Sequence, residues 1–181
     1  MKVEETNLDP SKEINFFDNG YEFLSNMYPC KVEYEGLTYQ TSEAAFQAAK
    51  FKNKEYRMMF TDILPDNIKK NEWKRYTRPA KKLGSKNGKI SKNDPEAFNK
   101  EEWDNGRAYK VMKEVVLAKF EQNPDLKEKL LATGDAYLVE GTTWKDTTWG
   151  VDLNSMKGKN QLGKILMEVR ETLKEKTGHS K

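Results

Sequence analysis

The sequence has 181 residues, a length that predicts one domain with a sizeable hydrophobic core. Charged residues make up 34% and the mean hydropathy is -0.95, but 11% of the residues are aromatic, which argues against disorder over most of the chain. The 32 basic and 29 acidic residues leave a net charge of +3, which neither demands nor excludes a nucleic-acid or phosphate ligand.

The first ordered segment is predicted to be a short strand at 14–17, which ends at a turn around Gly20. A structured loop follows at 21–29. Apolar and charged residues then alternate on both sides of Gly36, and this pattern predicts a β-hairpin that leads directly into a helix.

The most informative segment is the predicted helix that begins near Ser42. Thr41 and Ser42 are good N-cap residues, and an alanine-rich run without Gly or Pro follows them. Glu43 and Lys50 share one stripe of this helix, roughly 10 Å apart along its axis, and the helix potential favours an ionised Glu43. This pair is a candidate catalytic site, although a helix-start carboxylate and a solvated lysine explain the two residues about equally well.

The middle of the chain is predicted to be helical, with breaks at its prolines and glycines. Amphipathic spacing predicts helices at 54–63 and 66–76, a short helix closed by Gly84, and the longest helical segment at 100–122. The loop after Gly84 is surrounded by lysines, namely Lys81, Lys82, Lys86, Lys89 and Lys92. A solvated surface explains them best, and a rim that faces phosphate groups is the alternative.

The last third of the chain places a glycine-rich segment before a C-terminal amphipathic helix. Gly158 and Asn160 stand directly before this helix, where free backbone amides and the helix potential favour an anion. Turn glycines and an Asn N-cap explain the same residues about as well. The spacing is not that of the dinucleotide-binding fingerprint.

The scarcity of two residue types limits the chemistry. Cys30 is the only cysteine and His179 the only histidine, so the chain cannot assemble a Cys/His zinc site or an embedded Ser-His or Cys-His nucleophile. An enzyme of this composition must use carboxylates, lysine, tyrosine and backbone amides. We expect no metal and no cofactor. With one cysteine, no export pattern at the N-terminus and no apolar run near ~20 residues, we expect a cytosolic protein that does not enter a membrane.

Together the motifs resemble the NADAR/YbiA-like family of N-glycosidases, from about Ile14 to Leu173. The segments that carry the resemblance are Phe23-Leu24-Ser25-Asn26-Met27-Tyr28-Pro29, Thr41-Ser42-Glu43 with 46–50, Trp103-Asp104 with Arg107 and Val111-Met112, Trp149-Gly150, and 158–163 with 166–170. Each segment alone is weak, but their joint order and spacing are specific. The family pattern often has a pair such as His-Tyr where this chain has Ala44-Ala45.

The resemblance implies a mostly helical α+β domain with a small N-terminal antiparallel hairpin, at 14–175 between a flexible arm at 1–13 and a polar tail at 176–181. It also implies a hydrolase that cleaves N-glycosidic bonds. Two substrate classes are associated with similar proteins: ADP-ribose attached to guanine, and phosphorylated ribosylamino-pyrimidine intermediates of riboflavin synthesis. Removal of ADP-ribose from guanine is the favoured expectation, and a pairing with an ADP-ribosylating toxin is expected by analogy only.

The resemblance and the chemistry of the bond suggest roles for individual residues. Glu43 is the candidate that stabilises positive charge on the ribose and activates water. Lys50 is the candidate that attacks C1 and forms a Schiff base, provided that its pKa is lowered. Asp152 is expected to hold ribose hydroxyls or to share the acid–base work. The candidates for substrate binding are Ser25, Asn26, Tyr28, Trp103, Arg107, Trp149, Gly150, Gly158, Asn160 and Gly163.

Two non-catalytic functions remain as alternatives. The first is a reader that binds ADP-ribose or a modified nucleic acid without turnover. The second is a nucleic-acid-binding module that uses the lysine rim and aromatic side chains, and it requires an affinity that falls steeply with salt. Trp103 and Trp149 are equally well explained as stacking residues or as plain core. The sequence predicts no oligomeric state.

Overall fold

The computed structural model of the chain describes residues 13–15, 17–69, 72–76 and 78–178. The chain divides into two compact units, Asn26–Asn123 and the combination of Met1–Ser25 with Pro124–Lys181. Helices predominate, as predicted, and the sheets are small. Within the described residues, no helix has the length and the apolar character needed to cross a membrane.

The regular elements are mostly short. The strands are β1 (Glu13–Ile14), β2 (Val32–Tyr34), β3 (Leu37–Tyr39), β4 (Tyr137–Leu138), β5 (Gly141–Thr142), β6 (Val151–Asp152) and β7 (Lys157–Gly158). The α-helices are α1 (Ser42–Ala48), α2 (Lys54–Met58), α3 (Arg78–Leu83), α4 (Lys89–Asn93), α5 (Lys100–Glu102), α6 (Ala108–Gln122), α7 (Pro124–Ala132) and α8 (Gln161–Gly178). Short 3-10 turns lie at Glu22–Leu24, Trp73–Tyr76 and Pro95–Ala97.

The predicted hairpin is present in the unit Asn26–Asn123. Strands β2 and β3 pair antiparallel, with Val32 opposite Tyr39. The turn between them uses Glu35 and Gly36, whose φ values of 47° and 77° suit the left-handed geometry of a tight two-residue hairpin loop. The chain then enters α1 through Thr41, whose hydroxyl accepts a hydrogen bond from the Ala44 amide at 3.0 Å. The predicted start of this helix is therefore confirmed.

Helix α1 is the buried centre of this unit. Each of its residues is buried, and it packs against α3 and α6. Ala44, Ala45 and Ala48 have no exposed surface. Their side chains are small, so neighbouring elements can pack closely against the helix backbone and cover them. The stripe pattern predicted that Lys50 lies on this helix. The helix ends at Ala48, however, so Lys50 lies in the turn that follows it.

Three predicted helices in this unit are shorter than their patterns indicated. Helix α2 ends at Met58 and buries none of its residues. In the predicted helix at 66–76, the described residues 66–69 and 72–76 form one helical element, the 3-10 turn at Trp73–Tyr76. The predicted helix at 100–122 is interrupted at Asn105 and Gly106, where Gly106 has a φ of 96°. Asn-Gly is a turn-forming pair that tolerates this geometry. The longest helix is consequently α8 and not 100–122.

The other unit contains the remaining sheets. Strand β1 pairs parallel with β4, and β6 lies between β5, which is parallel to it, and β7, which is antiparallel. Helix α7 begins at Pro124, predicted as the stop of the preceding helix, because proline is tolerated in a first helical turn. Helix α8 buries the stripe predicted for it, which comprises Leu162, Ile165, Leu166, Val169 and Leu173.

The structure describes only a few residues near the predicted ends of the domain. Glu13, assigned to the arm, lies in β1, and α8 continues through Gly178 into the segment assigned to the tail. The rest of the arm, Phe16 of the first predicted strand, and His179 lie outside the described residues. The boundaries of the domain stay a prediction.

Candidate active site

The carboxylate of Glu43 is held inside the protein at the start of α1. Its side chain is 6% exposed, and its Oε1 accepts a hydrogen bond from Nε2 of Gln47 at 2.8 Å. The backbone amide of Glu43 donates to the carbonyl of Asn26 at 2.8 Å, and the hydroxyl of Ser42 donates to the same residue. These bonds fix the first turn of the helix and with it the position of the Glu43 carboxylate.

The amine of Lys50 lies in a partly apolar enclosure. Its Nζ donates to the carbonyl of Gly84 at 3.0 Å and lies 5.5 Å from the ring centre of Phe98 and 5.8 Å from that of Trp103. Burial lowers the pKa of Lys50 from its ordinary value, while the negative charges of Glu43 and Asp104 oppose that shift. Lowering the pKa increases the fraction of amine that carries a free lone pair, which is the condition for a nucleophilic lysine.

A pocket of about 330 Å³ is lined by Lys50, Trp103 and Arg107, three of the residues that the sequence singled out. The remaining lining residues are Lys52, Asn53, Tyr56, Asp94, Glu96, Ala97, Asn99 and Glu102. No pattern in the sequence marked these eight as pocket residues, because they come from separate loops and helix ends that only the fold brings together. The volume suits a ligand of nucleoside size.

Most charged groups of this pocket are paired. Arg107 donates to the carbonyl of Ala49 at 2.9 Å and to Glu102 at 3.2 Å, and Lys52 lies 3.1 Å from the other oxygen of Glu102. The hydrogen bond from Lys52, with the nearby Arg107, lowers the pKa of Glu102. The phenol of Tyr56 donates to Asp94 at 2.9 Å, and that bond raises the pKa of Tyr56.

The other predicted residues of this unit have mainly packing contacts. Trp103 is 7% exposed, and its ring centre lies 5.0 Å from that of Phe46 and 6.2 Å from that of Phe98, so it is both core and pocket wall. Asn26 is buried and donates to the sulfur of Met112 at 3.0 Å. Tyr28 packs edge-to-face on Trp73. Neither Asn26 nor Tyr28 lines the 330 Å³ pocket.

In the other unit, Asp152 is engaged in a local turn. Its Oδ2 accepts hydrogen bonds from the hydroxyl of Ser155 at 2.7 Å and from the Ser155 amide at 3.1 Å. These bonds lower the pKa of Asp152. Ser25 ends the 3-10 turn at Glu22–Leu24, and the amide of Trp149 donates to Asp146 at 3.0 Å.

The three glycines that were predicted to bind substrate are packed against backbone. A Cβ atom on Gly150 would overlap the carbonyl of Glu140, one on Gly158 the carbonyl of Gly150, and one on Gly163 the carbonyl of Leu138. Close packing therefore accounts for all three glycines without a ligand.

Asn160, like these glycines, contacts the backbone of neighbouring segments. It is 2% exposed, its Nδ2 donates to the carbonyl of Leu138 at 2.8 Å, and its Oδ1 accepts from the amide of Glu140 at 3.0 Å. Both ends of its side chain are thus bonded to backbone. A role for Asn160 in phosphate binding stays a prediction.

Within the unit Asn26–Asn123, the structure thus brings Lys50, Trp103 and Arg107 to one pocket. Glu43 does not line this pocket, but its charge acts on Lys50. Sequence reasoning assigned no role to Gln47, although its position one helical turn after Glu43 was a usable signal. Among the described residues, no group of three or more His, Cys, Asp and Glu side chains is placed to hold a metal ion.

Comparison with known proteins gives concordant matches. The NADAR domain family matches residues 12–174. N-glycosidase YbiA of Escherichia coli (strain K12) is 35% identical over 164 residues, with coverage of 88% of both chains. A riboflavin biosynthesis protein of Vibrio vulnificus (strain YJ016) is 34% identical over 158 residues, which are 87% of this chain and 37% of that protein.

A solved structure agrees with these sequence matches. The NMR structure of E. coli YbiA superposes with a TM-score of 0.69 at 31% identity, and the match covers 92% of this chain and 88% of that one. The resemblance drawn from the motifs and the mixed, mostly helical fold are both confirmed. The chain therefore belongs to the NADAR domain family.

Proposed function

We propose that this protein is an N-glycosidase, a hydrolase that breaks the bond between C1 of a ribose and the nitrogen of a base or amine. The observation that carries the proposal is a buried carboxylate, Glu43, whose charge acts on a half-buried amine, Lys50, at the wall of the 330 Å³ pocket. The relatives named N-glycosidases support the same reaction class. Carboxylate and amine are sufficient for this chemistry, because the transition state carries positive charge on the sugar.

In the proposed reaction, the lone pair of Lys50 Nζ forms a bond to C1 while the C1–N bond breaks. The electron pair of that bond leaves on the base, which takes a proton from solvent water. As the C1–O bond opens, the ring oxygen takes the proton that Nζ loses, which yields a protonated Schiff base. Water adds to C1 and gives one proton to Glu43, which returns it to solvent. The proton of the new C1 hydroxyl moves to Nζ as the C1–Nζ bond breaks, which releases the sugar aldehyde and the free amine.

A direct route is the alternative. Glu43 takes a proton from water while the water oxygen attacks C1, and Lys50 acts only through its charge. Trapping distinguishes the routes. Borohydride added during turnover is expected to reduce the Schiff base and leave the sugar on Lys50. A reaction mixture that turns over without leaving any adduct favours the direct route.

We propose ADP-ribose attached to guanine, in nucleic acid or nucleotides, as the substrate. Lys81, Lys82, Lys86, Lys89 and Lys92 are exposed around Gly84, whose carbonyl binds Lys50, so a phosphate-rich substrate would meet positive charge beside the reacting amine. A pairing with an ADP-ribosylating toxin is proposed by analogy with this substrate. Phosphorylated ribosylamino-pyrimidines are the second candidate, favoured by the name of the V. vulnificus relative.

Trp103 and Arg107 are the proposed contacts to the substrate inside the 330 Å³ pocket, Trp103 by stacking and Arg107 by its charge. The remaining candidates, which comprise Ser25, Asn26, Tyr28, Trp149, Gly150, Asp152, Gly158, Asn160 and Gly163, stay predictions. Their packing roles are visible and their contacts to a substrate are untested.

The deciding experiment is mass spectrometry of the products from two incubations. One uses a guanine-ADP-ribosylated oligonucleotide, and the other uses the phosphorylated ribosylamino-pyrimidine. Release of ADP-ribose from the first substrate alone supports the favoured function, and release of ribose phosphate from the second alone supports the metabolic one. Binding of ADP-ribose without cleavage of either substrate would identify a reader and overturn the proposal.

The variant Glu43→Gln is the matched test of the carboxylate. It keeps the shape of the side chain and a group that accepts from Gln47, so we expect an unchanged melting temperature and a loss of turnover of about 10³-fold. The control is Glu55→Gln, because Glu55 also stands in a first helical turn but is exposed. Unchanged turnover in Glu43→Gln would remove Glu43 from the reaction.

A further inference from the structure

Gln47 lies between the two groups of the candidate site. It is 7% exposed and sits one helical turn after Glu43, to which its Nε2 donates at 2.8 Å. This orientation of the amide is the attractive one, because the opposite orientation would face an oxygen to a carboxylate. The hydrogen bond fixes one oxygen of the carboxylate.

The other end of Gln47 touches the residue that holds Lys50. Its Oε1 is buried and finds no hydrogen-bond partner within the described part of the chain. A Cβ atom on Gly84 would overlap this oxygen, so the Gln47 amide lies directly against the Gly84 backbone. The carbonyl of Gly84 in turn accepts the hydrogen bond from Lys50 at 3.0 Å.

Packing alone does not account for a glutamine at this position. Leucine or methionine has a similar volume and would fill the space without burying an oxygen that lacks a partner, which costs folding free energy. The amide donor to Glu43 is the feature that an apolar side chain cannot supply. A cost in stability at a functional group is typical of active sites.

We propose that Gln47 is a positioning residue, which orients the Glu43 carboxylate with its amide and sets the distance to Lys50 through its contact with Gly84. The inference rests on the proposed function, because it assigns Gln47 a role in that reaction. It also explains why residue 84 is a glycine: any side chain there displaces either Gln47 or the carbonyl that holds Lys50.

Two substitutions of Gln47 separate positioning from packing. Gln47→Met keeps the volume but loses the donor, and we expect kcat to fall by about 10²-fold at every pH, with KM and the melting temperature little changed. Gln47→Glu places a second carboxyl beside Glu43. Two such groups share one proton at low pH, and the protonated group then donates to Glu43 as the amide does.

The expected signature is therefore a pH-dependent rescue. The activity of Gln47→Glu relative to wild type should rise as the pH falls and decline as the pair loses its shared proton. The charged groups that act on Lys50 are Glu43, Asp104 before α6 and Lys81 on α3. Asp104 and Lys81 are the same in wild type and variant, so their effect on Lys50 largely cancels in the ratio, and the difference that remains comes from the pair at Glu43.

The matched control is Gln122→Met. Gln122 bonds through both ends of its amide to the backbone of Glu33, outside the pocket, so its loss is expected to lower stability and to leave the pH profile unchanged. Gly84→Ala is expected to lower kcat as Gln47→Met does, while Gly178→Ala, where a Cβ meets no atom within 4 Å, should have no effect.

The outcomes are distinguishable. A wild type that cleaves neither substrate overturns the proposed function, and the role of Gln47 with it. A second outcome is an active wild type for which the ratio of Gln47→Glu activity to wild-type activity does not change with pH. That result overturns only the positioning role. If both Gln47 variants lose kcat to the same extent and both also have a clearly lower melting temperature, the residue is assigned to packing.

Discussion

Two regions of the chain carry residues that favour a ligand, and they differ in how those residues are used. At the end of α1, Lys50 has a lowered pKa and Gln47 keeps an oxygen without a partner among the described residues. In the segment before α8, both ends of the Asn160 side chain are bonded to backbone, and neighbouring carbonyls occupy the space beside the glycines.

Polar residues and glycines that favour a ligand in the sequence can therefore be present for two different reasons. A binding or catalytic group keeps a capacity that the fold does not use, such as a desolvated amine or a vacant acceptor. A packing group is saturated by its neighbours. By this criterion the proposed reaction belongs at the end of α1, whereas the segment before α8 is a close-packed junction of backbone.

The largest effect is expected at Lys50. Lys50→Met should lower kcat by about 10²- to 10³-fold, because the amine is the proposed nucleophile. In wild type the amine should become reactive as the pH rises through a pKa below the ordinary lysine value, and the variant should lack that rise. The control is Lys54→Met, because Lys54 is exposed at the start of α2.

The same variant has an expected effect on stability, measured by chemical denaturation. A lysine whose pKa is lower in the folded protein binds its proton more weakly there, so the charged form costs stability at neutral pH. The cost is fully present below the folded pKa and disappears as the pH rises to the unfolded value. Lys50→Met should therefore not lower the free energy of unfolding at pH 7. A clear loss would mean that Lys50 is mainly structural.

An intermediate effect is expected at Asn160. Asn160→Ala leaves the carbonyl of Leu138 and the amide of Glu140 without their side-chain partner, which should cost about 3 kcal/mol of unfolding free energy. KM should be unchanged in the folded variant. Asn154→Ala is the control, since its bonds are exposed or long. A raised KM with normal stability would instead support the predicted contact to phosphate.

The smallest effect is expected from the lysine rim. Replacing Lys82, Lys86 and Lys89 by glutamine should weaken binding of an ADP-ribosylated oligonucleotide several-fold and reduce its salt dependence. Lys81 stays intact because its charge acts on Lys50. Turnover of the free ADP-ribosylated nucleotide should not change. Equal binding of the oligonucleotide by wild type and variant would assign these lysines to solvated surface, and Lys164→Gln on α8 is the control.

The local parts of the fold were predictable from the sequence. The hairpin follows from strict alternation around Gly36, and the start of α1 follows from the hydroxyl of Thr41. The broken helix was missed because periodicity ran through Asn105 and Gly106, and apolar spacing outweighed the turn-forming pair that the backbone obeys.

The site was predictable only where its residues are close in the sequence. Glu43 and Lys50 were found because they stand on one short segment. The pocket wall was missed because Tyr56 and Asp94 meet only in the fold. The spacing of Gln47 from Glu43 was a usable signal for their hydrogen bond, whereas its contact with Gly84 appears only in the fold. Spacing along the chain identifies candidate groups, and their hydrogen-bond partners decide what they do.

The end of α1 at Ala48 has a consequence for local motion. The amide of Glu43 is bonded to Asn26 inside the buried first turn, so it exchanges with solvent only when the whole unit opens. The amide of Lys50 makes a long bond of 3.4 Å to Gln47 in the turn beyond the helix. Hydrogen exchange at the Lys50 amide should therefore be much faster than at the Glu43 amide, so the segment that carries the proposed nucleophile is expected to open more easily than the turn that holds the carboxylate.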